Sequence, residues 1–129
     1  MADPEDLDIY QKHYDFMCYF FPVIDNFPKR EKFTLCTRLK NRVYKILDLI
    51  IDANETQGSN IRFLNRIDME LKKLKIQVRF AKDRKHLSPR KQEIVIKKID
   101  EIGRLLGGWI KSILNMLQQF ANFAVEKIT

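Results

Sequence analysis

Lys72, Lys75, Arg79 and Lys82 recur at i, i+3, i+7 and i+10, the spacing that aligns side chains along one edge of an α-helix. Such a row can hold a phosphate backbone. Each cation displaces a condensed counterion, so binding weakens as salt rises and reads little sequence. The segment that follows adds Arg84, Lys85 and His86, then Arg90 and Lys91, and a separate trio, Arg38, Arg42 and Lys45, sits upstream on an expected outer helix face. Asp83 stands four residues after Arg79, but no other member of the row has an acidic residue at i+4. Its field is therefore expected to be open to a ligand. Residues 29–111 hold 22 Lys or Arg against 10 Asp or Glu, whereas the flanking segments hold 2 against 7. A water-solvated lysine-rich face and a surface for a phosphate-rich partner both fit this distribution. Arg90 and Lys91 fall in the first turn of an expected helix, where positive charge opposes the helix dipole, and this favours the second reading.

Other chemistry is not visible. His13 and His86 lack companions at metal-ligand spacing, and Asp100 and Glu101 point to different helix faces, so neither a metal site nor a general acid–base pair is expected. Gly103, Gly107 and Gly108 do not form a phosphate loop, because no strand precedes them and no Gly-Lys-Ser/Thr follows. No base-reading helix, RNA-recognition aromatic motif or zinc finger is present. The chain reads as a binding or assembly protein without catalytic residues or cofactors. Cys18 and Cys36 have no disulfide or metal framework and read as buried thiols in a reducing compartment, which places the protein in the cytoplasm. No run of about 18 apolar residues is available to span a membrane.

The elements that must position the basic residues are helices. Apolar residues recur at spacings of three and four in segments of about 4–27, 29–53 and 60–83, and again from 89 onward. Pro22 is expected to kink the first segment and Pro28 to end it. Ser59 or Asn60 can cap the third, and Ser88 followed by Pro89 starts the fourth. Core stripes are Cys36, Leu39, Val43, Leu47 and Ile50 on the second helix, and Leu64, Ile67, Leu71, Leu74, Val78 and Ala81 on the third. The fourth helix offers Val95, Ile99, Ile102, Leu106, Trp109, Ile113 and Leu117. Short connections favour antiparallel neighbours. The expected fold class is all-α, an antiparallel up-down-up-down four-helix bundle forming one domain over 1–129, with an acidic segment at 1–6 and a C-terminal extension over about 115–129.

More apolar surface is present than such a core needs. On the first helix Leu7, Tyr10, Tyr14, Met17, Phe21 and Ile24 form the expected core stripe, while Ile9, Phe16, Phe20, Val23 and Phe27 form a second. Met69, Ile76 and Phe80 lie away from the core stripe of the third helix. These surplus faces predict self-association through Phe16, Phe20, Met69, Ile76 and Phe80, although an irregular packing that buries the first helix all round is an open alternative. In "DEIGRLLGGWI", Gly103 and Gly107 flank the apolar stripe and are expected to admit a neighbouring helix backbone, whereas Gly108 faces outward toward a second subunit or partner.

The phrases "FPKREKFTLCTRL", "VRFAKD" and above all "DEIGRLLGGWIKS" resemble the accessory variability determinant (Avd) proteins of diversity-generating retroelements, relatives of the four-helix-bundle proteins encoded in ribosomal RNA intervening sequences. The resemblance covers roughly residues 7–114. It implies a homopentameric barrel of four-helix bundles with a basic outer surface, no catalytic activity and no cofactor. The partners it implies are the element's reverse transcriptase and template-region RNA, or DNA with low sequence specificity, in support of mutagenic retrohoming. Lys72, Lys75 and Arg79 match in kind the basic residues used by the family; Lys82, Arg84, Lys85, Arg38 and Arg42 complete the expected surface. The alternative is an intervening-sequence-type bundle acting as an oligomeric scaffold without nucleic-acid binding.

Overall fold

The computed structural model describes residues 7–56 and 60–128. The acidic segment 1–6 and the side chains of Ser59 and Asn60, with the cap expected there, lie outside the described residues. Four helices account for most of the rest: α1 (Asp8–Asp25), α2 (Leu35–Glu55), α3 (Asn60–Asp83) and α4 (Pro89–Ile128). Among the described residues there is no strand.

Cross-helix contacts run in opposite order on successive helices. Ile24 meets Cys36 while His13, two to three turns earlier on α1, meets Val43. On α4, Glu101 bonds Lys12 while Lys98 lies over Tyr19. Each helix packs on its neighbours in sequence and α1 closes the ring on α4, an antiparallel four-helix bundle.

Local signals explain the boundaries. Ser88 caps α4 by accepting a 3.1 Å hydrogen bond from the Lys91 N–H, and Pro89 occupies the first helical position, where its missing N–H costs nothing. The helix α1 continues through Pro22 and closes with i→i−3 bonds from Asn26 and Phe27. What was expected as the start of the second helix is instead a 3₁₀ turn at Lys29–Glu31, and α2 begins only at Leu35. That offset leaves Phe33 82% exposed.

The third-helix stripe Leu64, Ile67, Leu71, Leu74, Val78 and Ala81 is buried throughout, as are Val95, Ile99, Ile102 and Leu106 of α4. On α1 the two stripes are exchanged. Ile9, Phe16, Phe20, Val23 and Phe27 are buried with Ile24, while Tyr14 is exposed and Leu7, Tyr10, Met17 and Phe21 are half-buried. Phe16 and Phe20 therefore belong to the protomer's own core, their rings stacked at 5.1 Å, and present no surface to a second copy. The physical reason is the residue that interrupts the stripe: His13 is fully buried between Ile9 and Phe16, completing a core seam that apolar residues alone do not trace. Tyrosines keep an apolar ring and a polar tip, so they suit the rim that Tyr10 and Tyr14 occupy. Burial pushes the His13 pKa down to about 4, only partly opposed by its bond to Val43. The neutral ring donates from Nε2 to the Val43 carbonyl at 2.8 Å, and its Nδ1 has no partner within the protein.

Three further expectations are corrected. Cys36 is buried, but Cys18 is exposed, because it lies on the outward arc of α1. A methyl group built on Gly103, Gly107 or Gly108 meets nothing within 4 Å, so no helix backbone of the same protomer approaches Gly103 or Gly107. The core stripe of α4 also ends early: Trp109 and Ile113 are half-buried and Leu117 is 47% exposed. At 40 residues, α4 is about 60 Å long and outruns the other three helices.

Candidate nucleic-acid interface

The α3 row forms as the spacing dictates, but it is not unpaired. Lys72 bonds Asp68 at 3.0 Å, Lys75 bonds Asp100 of α4 at 2.7 Å, and Asp83 lies 3.9 Å from Arg79 and 3.5 Å from Lys82. Scanning only i+4 missed the acid one turn earlier and the one on the adjoining helix. These pairs are solvent-exposed, with Arg79 and Lys72 side chains 77% and 66% accessible. Exposed pairs contribute only about 0–1 kcal/mol, so a phosphate can compete for each cation, but the row's net field is reduced.

The upstream trio divides. Arg38 is exposed, whereas Arg42 turns inward onto Glu70, a carboxylate 5% exposed, which the exposed Lys45 also reaches. Arg42 Nη1 bonds Glu70 Oε2 and its Nε donates to Gln77 Oε1 at 2.9 Å, while Lys45 reaches Glu70 Oε1 at 3.2 Å. Burial is the largest single influence on Glu70 and opposes its charge. The bond from Lys45 and the charge and bond of Arg42 together outweigh it and hold the carboxyl below its ordinary range. Arg42 thus fastens α2 to α3 and is not part of an outer basic face.

The unpaired charge lies elsewhere, at the end of the bundle where the α1–α2 and α3–α4 connections meet. Glu31 and His86 bring the two connections together: His86 Nε2 lies 2.8 Å from Glu31 Oε2, with the His86 side chain 2% exposed and its ring 5.5 Å from Phe27. A bond from Thr34, then the one with His86, holds the Glu31 carboxyl below its ordinary range. His86 therefore serves the fold and not the basic surface. Around this latch Lys29, Arg30, Lys32, Arg84, Lys85, Arg90 and Lys91 are all exposed, and none makes an ion pair with an acidic group among the described residues.

Backbone geometry sets that end. Lys85 N–H bonds Lys82 O at 2.8 Å and His86 N–H bonds Ala81 O at 2.9 Å, the pattern that closes a helix with a left-handed residue. Lys85 takes that conformation at φ 63°, a position glycine fills more cheaply. Sequence reasoning singled out Arg84, Lys85, Arg90 and Lys91 but passed over Lys29, Arg30 and Lys32. The available signal was topological: in an up-down-up-down bundle the first and third connections share an end.

A family model described as bAvd-like matches residues 7–113. The chain belongs to the bAvd-like family. Comparison with curated individual proteins gives no match. The bAvd-like match takes in all of α1 to α3 and stops on α4 at Ile113, the last residue of that helix that is even half-buried. Both the basic end and the α3 row lie inside it.

Beside the basic row, α3 of this bAvd-like chain carries Met69, Ile76 and Phe80, 51%, 68% and 53% exposed. Ile76 and Phe80 line a groove of about 580 Å³ with Phe33, Leu35 and Arg38 of the α2 side. The basic row borders α4 and the apolar row borders α2, so one outward surface presents both. Gly108 is exposed and lines a smaller depression of about 340 Å³ with Leu7, Arg104 and Trp109. Among the described residues no group of three or more His, Cys, Asp or Glu converges as a metal site, and no helix is long and apolar enough to cross a membrane.

Proposed function

We propose that this bAvd-like protein is a non-catalytic accessory factor of a diversity-generating retroelement, binding reverse transcriptase and template RNA through its basic surface in support of mutagenic retrohoming. The single observation that carries the RNA-binding part is the basic end of the bundle, where seven exposed cations form no ion pair among the described residues. On this reading Arg84, Lys85, Arg90 and the Lys29–Lys32 turn make the principal phosphate contacts, and Lys72, Lys75, Arg79 and Lys82 extend the track along α3. The exposed row Met69, Ile76 and Phe80, with Phe33 beside it and Gly108 on α4, supplies contact between copies in a pentameric barrel. Family membership supports the reverse-transcriptase partnership.

The test is a gel shift against structured RNA at about 0.15 M salt, where the Debye length is about 8 Å, with co-purification of a co-expressed retroelement reverse transcriptase. Retarded RNA and co-purified enzyme are expected; RNA mobility no different from that with a neutral control protein overturns the nucleic-acid role. A second reading is an intervening-sequence-type scaffold without nucleic-acid binding. It is favoured by one observation, the ion pairs that every member of the α3 row makes.

A further inference from the structure

Beyond Ile113, α4 runs past the other described helices: every described residue from Leu114 to Ile128 is exposed. The sequence there is nonetheless patterned for burial. Leu117, Phe120 and Ala124 continue, at spacings of three and four, the stripe by which Ile110 and Ile113 pack on the bundle, the pattern of a heptad seam. Leu114, Met116, Ala121 and Phe123 flank that seam, which widens the apolar stripe to roughly half the helix circumference at 100° per residue. The opposite face is Ser112, Asn115, Gln118, Gln119 and Asn122. Leu114, Phe120 and Phe123 stand 52%, 74% and 57% exposed, and so wide an unburied apolar stripe marks an interaction surface.

Charge selects the occupant. Residues 112–128 contain one acidic and one basic residue, Glu126 and Lys127, so the extension is neutral in a chain of net charge +7. An acidic partner drawn to the basic body finds nothing to pair with here. A helix lying on a membrane surface carries Lys and Arg along its polar face, whereas this face carries uncharged amides. Copies of the same neutral extension meet without repulsion, and the seam is complementary to itself. An apolar stripe this wide gives each helix two neighbours, which favours more than two strands over a simple pair.

We propose that the α4 extension assembles with the α4 extensions of other copies of this chain into a bundle of three or more helices, a self-association element separate from the α3 surface. The inference does not rest on the RNA-binding reading, and residues 114–128 lie outside the family match.

The experiment uses the full chain with Cys18→Ser, carrying either Ala124→Cys on the seam or Asn122→Cys on the outer face. Under mild oxidation the Ala124→Cys protein is expected to form disulfide-linked dimers on a non-reducing gel at least tenfold faster than the Asn122→Cys protein. Adding Leu117→Asp and Phe120→Asp to the Ala124→Cys chain is expected to abolish that cross-link, with circular dichroism confirming that the bundle stays helical. Equal rates at the two positions, no cross-link at either, or a cross-link that survives the aspartates overturns the proposal. Flotation of the Cys18→Ser chain with neutral phosphatidylcholine vesicles, in place of cross-linking, also overturns it by making a lipid surface the occupant.

Discussion

The middle of the bundle and its loop end are both rich in positive charge, yet they use it differently. Arg42 and Lys45 are engaged by Glu70 between α2 and α3, whereas Arg84, Lys85, Arg90 and Lys91 form no ion pair among the described residues, Arg84 feeling only the nearby charge of Glu31. The α3 row lies between these extremes, exposed but paired. A cation fastened to a buried carboxylate holds the fold, and a cation left in water is free to meet an anion. Counting basic residues along the chain does not separate the two, because pairing is a property of helix contacts.

The largest effect that sharpens this contrast concerns a group denied any charge. His13 titrates near 4 when folded against 6.5 in its ordinary state. Between those values the unfolded chain binds a proton that the folded chain refuses, so stability falls as pH falls from 6.5 to 4. The loss is on the order of 3 kcal/mol, read by urea unfolding across that range, and His13→Phe is expected to flatten it. Glu70 acts in the opposite sense of charge and in a lower window: its depressed pKa means that its stabilisation is present at neutral pH and is lost below about the ordinary carboxylate range.

Next in size is the buried cluster itself. Glu70→Ala leaves the part-buried Arg42 without its carboxylate and is expected to cost about 2–3 kcal/mol in urea unfolding, with RNA affinity unchanged or raised. A stability loss below about 0.5 kcal/mol breaks the contrast, because Arg42 and Lys45 then count as surface charges. At the loop end Arg84→Ala is expected to leave the unfolding midpoint within experimental error while lowering RNA affinity several-fold, the inverse pattern.

Smaller effects follow from the backbone. Lys85→Gly relieves a left-handed residue and is expected to stabilise the protein by about 1 kcal/mol, measured as a rise in Tm, at the expense of one phosphate contact. Gly103→Ala removes helix-interior glycine where an added methyl meets nothing within 4 Å, and a gain of up to about 1 kcal/mol is expected. A loss instead reveals that another copy presses on that face.

Much of the fold was legible. The α3 stripe and the Ser88-Pro89 start of α4 follow from periodicity and capping chemistry that operate within a few residues. The α1 core was misread because two tyrosines extend a plausible apolar stripe while His13 interrupts the true one, and hydrophobicity alone cannot tell a satisfied buried imidazole from a surface one. The α3 row was legible as spacing, but its Asp100 partner sits on another helix. Lys29, Arg30 and Lys32 join the site through the meeting of two connections, held by Glu31 and His86, which no local pattern encodes. The glycines of "GRLLGG" were legible as exceptional and misassigned in role, since nothing in the protomer approaches Gly103 or Gly107.

The central claim is that the cations outside ion pairs at the loop end make the principal phosphate contacts, and the paired α3 row makes weaker ones. The direct measurement is RNA affinity as a function of salt for Arg84→Ala, Lys85→Ala and Arg90→Ala combined, beside Lys75→Ala and the unaltered protein. Each phosphate contact contributes about 0.7–0.9 to the slope of log affinity against log salt. The triple variant is expected to lose about 2 from that slope, and Lys75→Ala less than the roughly 0.7 of one full contact, because Asp100 competes for Lys75. A triple variant with unchanged slope and affinity, or a Lys75→Ala loss of the same size, contradicts it.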